Sequence, residues 1–133
     1  MPIYTCTTIQ GSLTSEVKAL LAAEITRIHV DINHVPPAYV NVVSSELPTD
    51  SIFAGGRLAK TLILTGWVRR GHPQKEATRL ALELSSAIAR ISGVDESQTM
   101  VVLQDGPAWP AVEGGHVLPE PGKEEEWLRR TGA

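Results

Sequence analysis

The chain's 133 residues carry 12 Lys and Arg against 15 Asp and Glu, a formal net charge of -3, and only one Phe, two Tyr and three Trp. That balance gives no broad basic field and little to stack on bases, which excludes nucleic-acid binding as a main role. A single cysteine permits no internal disulfide, and no apolar run approaches the roughly 20 residues of a membrane span, so a soluble, cytoplasmic, single-domain protein is expected.

Pro2 directly follows Met1. Removal of Met1, which a small second residue permits, would leave a secondary amine at the head of a strand. An α-amino group ordinarily titrates at about 7.7–8.0, and proline's nitrogen is more basic. Burial and a nearby Arg would favour a neutral general base, whereas a nearby carboxylate would favour a cationic general acid. Ile3 to Thr8 is short, apolar and β-prone, and ends at the turn signal Gln10-Gly11-Ser12. Within it, Cys6 reads as a small buried hydrophobe rather than a reactive thiol.

From Thr14, a candidate N-cap, Val17, Leu20, Leu21, Ile25, Ile28 and Ile32 recur at helical spacing to about Asn33. Pro36-Pro37 forbids continuation, and Tyr39 to Val43 reads as a buried strand. After a loop with Pro48, Gly55 and Gly56 the series repeats. Thr61 to Val68 is a strand, Pro73 opens a helix marked by Ala77, Leu80, Ala81, Leu84, Ile88 and Ile91, Gly93 stops it, and Thr99 to Leu103 is the closing strand.

The pattern is two tandem β-α-β units, 2–43 and 61–104, followed by a Pro/Gly-rich and then charged arm, 105–133. It predicts an α/β fold, an α+β sandwich with a four-stranded sheet and both helices on one face. The apolar runs imply burial of the other face as well, most simply against further copies of the chain. Trp109 and Trp127 are candidate anchors for the arm. No metal is expected, because His29, His34, His72 and His116 lack ligand spacing.

A proline opening a strand of a duplicated β-α-β chain resembles the tautomerase superfamily, and within it the cis-3-chloroacrylic acid dehalogenase subgroup. The landmarks are Pro2-x-Tyr4, Leu13-Thr14, His29, Val40-Asn41, Ile52-Phe53-x-Gly55-Gly56, Gly66-x-x-Arg69-x-Gly71, and the tail Val112-Glu113-x-Gly115-x-x-Leu118-Pro119-x-Pro121-Gly122 with Glu126-Trp127. They run in order over nearly the whole chain. The resemblance implies a homotrimer, no cofactor, a small carboxylate substrate, and a site built from the proline, a helix histidine, two arginines, a tyrosine and a tail glutamate.

Carried over by position, Pro2 and Glu113 are the catalytic candidates, and His29, Arg69 and His72 the substrate-binding ones. His72 stands where the family has its second arginine, and Val102, without a hydroxyl, stands at about the place of the family tyrosine. Arg70 reads as solvated beside Arg69, and Trp109 offers an indole N–H that donates but cannot act as a base. Three functions are compatible with these residues. One is a tautomerase of 2-oxo or enol acids with Pro2 as base, with weak activity on 3-haloacrylates. Another is a hydratase or hydrolytic dehalogenase with cationic Pro2 as acid and Glu113 activating water. The third is a non-enzymatic trimer that binds a carboxylate or a protein partner.

Overall fold

The computed structural model describes residues 2–132. Its strands are β1 (Ile3–Ile9), β2 (Asn41–Leu47), β3 (Phe53–Ala54), β4 (Arg57–Leu58), β5 (Leu62–Arg69), β6 (Thr99–Gly106), β7 (Val112–Glu113) and β8 (His116–Val117). Its helices are α1 (Ser15–Asn33), α2 (Gln74–Ser92) and α3 (Glu124–Thr131). The main sheet has the order β2-β1-β5-β6. β1 and β2 are parallel, as are β5 and β6, and the two units join antiparallel through β1 and β5. This is the expected four-stranded α+β architecture, and the antiparallel junction makes its sheet mixed.

Each helix begins and ends for local reasons. The Thr14 hydroxyl accepts from the Val17 amide and caps α1, and His34 ends that helix in the left-handed conformation. Pro73 precedes α2, and Gly93 closes it with a left-handed turn. One continuous core joins Tyr4, Cys6, Leu62 and Leu64 of the sheet to Ile25, Ile28 and Ile32 of α1 and to Leu80, Leu84 and Ile88 of α2. Cys6 is buried in it, which pushes its thiol up to about 11, away from the range of a reactive thiolate. Leu20, assigned by periodicity to the apolar face of α1, is exposed.

Several boundaries differ from the expectation. The strand expected from Tyr39 starts at Asn41 and runs to Leu47, because Pro36-Pro37 leads into a single 3-10 turn over Pro37–Tyr39 that turns Tyr39 away from the sheet. The loop before β5 contains the hairpin β3–β4, and its turn residues Gly55 and Gly56 both have positive φ, a conformation that glycine adopts without steric cost. The arm also has regular structure: hairpin β7–β8 and helix α3.

The arm packs as a second small core in which Trp127 meets Val35, Tyr39, Ala108 and Leu118. The Trp127 indole donates to the Val117 carbonyl at 2.7 Å, so Trp127 is the anchor expected of it. Trp109 is not one: it is 69% exposed. The face of the sheet away from the helices is only partly covered within one chain, since Ile3, Val43, Met100 and Val102 are all exposed. Burial on both faces, read from the apolar runs, is therefore not achieved by a single copy.

Candidate active site

Strand pairing assembles the candidate site at one end of the sheet. The Asn41 amide donates to the Pro2 carbonyl at 3.0 Å, and the antiparallel register Ile3↔Trp67 brings Pro2 to the end of β5 that carries Arg69. Pro2 is buried. Side chains alternate across the strands, so Tyr4 points into the helix-side core while Ile3 and Trp67 face the opposite side. Pro2 stands at the strand end between two groups of polar residues.

On the helix side is His29, four residues beyond Ile25 on α1 and therefore on its buried stripe. It is 2% exposed, and both ring nitrogens have partners: Nδ1 lies 2.7 Å from the Tyr4 hydroxyl and Nε2 lies 3.3 Å from Asn33 Nδ2. Burial, reinforced by the charges of His72 and Arg69, pushes the imidazole down to about 3, so it is neutral at working pH. Its expected role of donating to a carboxylate thus requires a substrate to displace Asn33. His72 is partly buried, with Nδ1 3.6 Å from a carboxylate oxygen of Glu76 one helical turn on.

On the other side are Arg69 and the arm. Arg69 is 5% exposed; its Nη1 donates to the Pro119 carbonyl at 2.5 Å and its Nη2 to Glu124 Oε1 at 2.6 Å. Burial alone would push the Glu124 carboxyl up, but the hydrogen bond and charge of Arg69 hold it below the usual carboxylate range. The arginine expected to hold substrate therefore also clasps the arm, with three of its five N–H donors left over among the described residues. Arg70 is exposed, as expected of a solvated neighbour.

A cavity of about 660 Å³ lies between the sheet residues Ile3, Asn41 and Trp67 and the arm residues Ala111, Glu113 and Leu118. Of the residues expected to form the site, Glu113 alone lines it. Pro2, His29, Arg69 and His72 are gathered at the adjoining sheet end. Tyr39, under the arm, feels the same carboxylates: burial raises its phenol, and the charges of Glu124 and Glu113 raise it further.

Val102 lies elsewhere on the sheet of this chain. It pairs with Thr65, four register steps from the Arg69↔Gly106 pair, or about 13 Å along the strand. It lies on the exposed sheet face, outside this chain's own site. Trp109 likewise does not line the cavity. Sequence reasoning missed Tyr4, Asn33, Tyr39 and Glu124 as members of the site's surroundings. The His29/Asn33 spacing of four was a legible signal, whereas the pairing of Arg69 with Glu124 spans 55 residues and had none.

A duplicated β-α-β sheet with a proline at its head and an arginine at the facing strand end defines a tautomerase-superfamily protein. The chain belongs to the oxalocrotonate tautomerase-like family, whose model matches residues 1–131. Among solved structures, it is similar to N1, a member of the cis-3-chloroacrylic acid dehalogenase family, with a TM-score of 0.92 and 29% identity over 96% of this chain and 90% of that one. It also resembles native Ps01740, with a TM-score of 0.81 and 32% identity over 84% and 99% of the two chains. A third is a fused 4-OT solved as an asymmetric trimer, with a TM-score of 0.81 and 26% identity over 86% and 94%. No curated protein matches the sequence. Among the described residues there is no group of three or more His, Cys, Asp or Glu that could hold a metal ion, and no helix is long and apolar enough to cross a membrane.

Proposed function

We propose that the protein is a cofactor-free keto–enol tautomerase of small 2-oxo or enol carboxylic acids, with the Pro2 nitrogen as general base. The observation that carries this reading is the setting of Pro2, buried at the end of the sheet to which β5 brings Arg69, with its carbonyl fixed by the Asn41 amide. Burial favours the neutral amine, the form that can accept a proton, while the Arg69 charge at this sheet end is shared with Glu124. Met1, whose removal the mechanism requires, lies outside the described residues.

In the forward step the Pro2 nitrogen takes the enol hydroxyl proton, the O–H electron pair becomes the C=O π bond, and the former C=C pair takes the proton back from the same nitrogen to form the new C–H bond. The remaining N–H donors of Arg69, with His29 and His72, would hold the carboxylate and stabilise charge on the enolate oxygen. No metal or organic cofactor enters the scheme.

A second reading is favoured by one observation. Glu113 lines the cavity together with Ile3, so in this reading its carboxylate would take a proton from water while cationic Pro2 protonates an unsaturated or cis-3-halogenated acid. The hydroxyl that the resemblance calls for is absent at Val102. A homotrimer is part of either proposal, supported by the exposed apolar sheet face and by the trimeric form of the fused 4-OT relative.

The deciding experiment assays enolpyruvates and 3-haloacrylates with protein whose intact mass lacks Met1, alongside Pro2→Ala. Tautomerisation that Pro2→Ala reduces by roughly 10²–10⁴-fold, the usual worth of a positioned base, supports the proposal. Full activity with Met1 retained would overturn the proline mechanism, and inactivity on the whole panel would favour a carboxylate- or partner-binding trimer.

A further inference from the structure

Tyr4 belongs to the Pro2-x-Tyr4 landmark, yet the proposed reaction gives it no task. We infer that Tyr4 is the positioning residue for His29: its hydroxyl, 2.7 Å from Nδ1, holds the imidazole in one orientation and in the tautomer that carries its proton on Nε2. The inference rests on the carboxylate-binding role proposed for His29 and says what makes that role available, since only a protonated Nε2 can donate to an anion.

Packing fixes the phenol first. Tyr4 is fully buried, its ring edge-on to the imidazole with centroids 5.6 Å apart at 76°. Tyr4 pairs with Gly66 across β1 and β5, and a Cβ at Gly66 would stand 2.7 and 2.8 Å from two Tyr4 ring carbons. The glycine of the Gly66-x-x-Arg69 landmark is therefore the space the Tyr4 ring occupies. Held there by the strand on one side and α1 on the other, the hydroxyl has little freedom to turn elsewhere.

Proton counting then selects the tautomer. Burial keeps the Tyr4 phenol protonated and the His29 imidazole neutral, so the pair has one O–H, one N–H and one bare ring nitrogen. Among the described residues, His29 Nδ1 is the sole hydrogen-bond partner of the Tyr4 oxygen. A buried O–H needs an acceptor, and the bare nitrogen must be Nδ1 to supply it, which leaves the proton on Nε2. A half-turn of the Asn33 amide presents its oxygen to that proton, and a substrate carboxylate would take the same place.

The test is the His29 tautomer, read by long-range ¹⁵N–¹H correlation in the full-length protein. The expected result is a bare Nδ1 and a protonated Nε2. Tyr4→Phe keeps the ring against Gly66 and should mix or reverse the tautomers; KM for an aryl enolpyruvate should rise about 5–10-fold, the worth of one neutral hydrogen bond, with kcat changed less than about threefold. A proton on Nδ1 in the unmodified protein would overturn the inference, as would a tautomer that Tyr4→Phe leaves untouched. If Tyr4→Phe fails to fold, the tautomer of the unmodified protein decides alone. The expected spectra in a protein with no tautomerase activity would sink the proposed function and leave the Tyr4–His29 relationship standing.

Discussion

The Arg69 guanidinium and the Glu124 carboxylate meet at 2.6 Å across 55 residues of sequence, joining the end of β5 to the first residue of α3. Both side chains are largely buried, at 5% and 18% exposure. The pair closes the arm over the sheet end where Pro2 lies, so the same cation serves the fold and, in the proposed mechanism, the substrate.

Removing one partner of such a pair should cost far more than the pair itself contributes, because the other charge stays buried without compensation. Glu124→Ala should therefore destabilise the protein by about 3–5 kcal/mol in urea unfolding. Arg70→Ala, at an exposed position, should change stability by less than about 0.5 kcal/mol. Equal small effects at both positions would mean that the Arg69 clasp does not form in solution.

Glu113 separates the two enzymatic readings. In the proposed mechanisms its carboxylate has work only where water must be activated, so Glu113→Gln should spare keto–enol tautomerisation. Hydration or dehalogenation in the same variant should fall roughly 10²–10⁴-fold, since a carboxamide keeps the shape of the carboxylate but cannot accept the water proton. Loss of tautomerisation with water addition intact would reverse the assigned roles and remove the tautomerase proposal.

His29 should make the fold acid-sensitive from about pH 6.5, well above the carboxylate range. Its folded value is pushed down to about 3 from an ordinary 6.5, so the unfolded chain binds a proton that the folded one refuses. The associated stability is fully present above pH 6.5 and is lost as pH falls toward 3, at up to about 1.4 kcal/mol per pH unit. Urea midpoints between pH 7 and pH 4 should decline, and the decline should flatten in His29→Gln. A profile identical in the two proteins would show that His29 is not held neutral.

Assembly can be tested on the uncovered sheet face. Met100, 52% exposed on β6 and distant from the sheet end that holds Arg69, should be buried in the trimer. Met100→Glu would place a charge in that interface and should yield monomers by sedimentation at micromolar concentration, against trimers for the unmodified chain. Monomers from the unmodified chain would refute the trimer.

The repeated strand–helix–strand pattern was legible because periodicity is local. Apolar residues at helical spacing with Thr14 and Gly93 at the ends mark α1 and α2 as amphipathic, and the β-prone runs mark the four main strands. Where the local signal competed with backbone chemistry the reading slipped. Tyr39 looks like the start of a strand, but Pro36-Pro37 spends it on a 3-10 turn, and its ring joins the arm's core. The two-residue strands of the hairpins are too short to carry any period.

Sequence by itself therefore determined the repeated strand–helix–strand elements, because each depends on neighbours within a few positions, and the candidate site residues were legible only through the ordered landmarks of the family resemblance. Only the tertiary structure decided which of those residues share a space. It sent His29 inward to Tyr4, gave Arg69 to Glu124, left Trp109 exposed and carried Val102 away from the site's end of the sheet. The physical reason is that hydrogen-bond partners, burial and charge are set by strand register and by the docking of the arm. These contacts span 25 to 55 residues, and no local pattern encodes them.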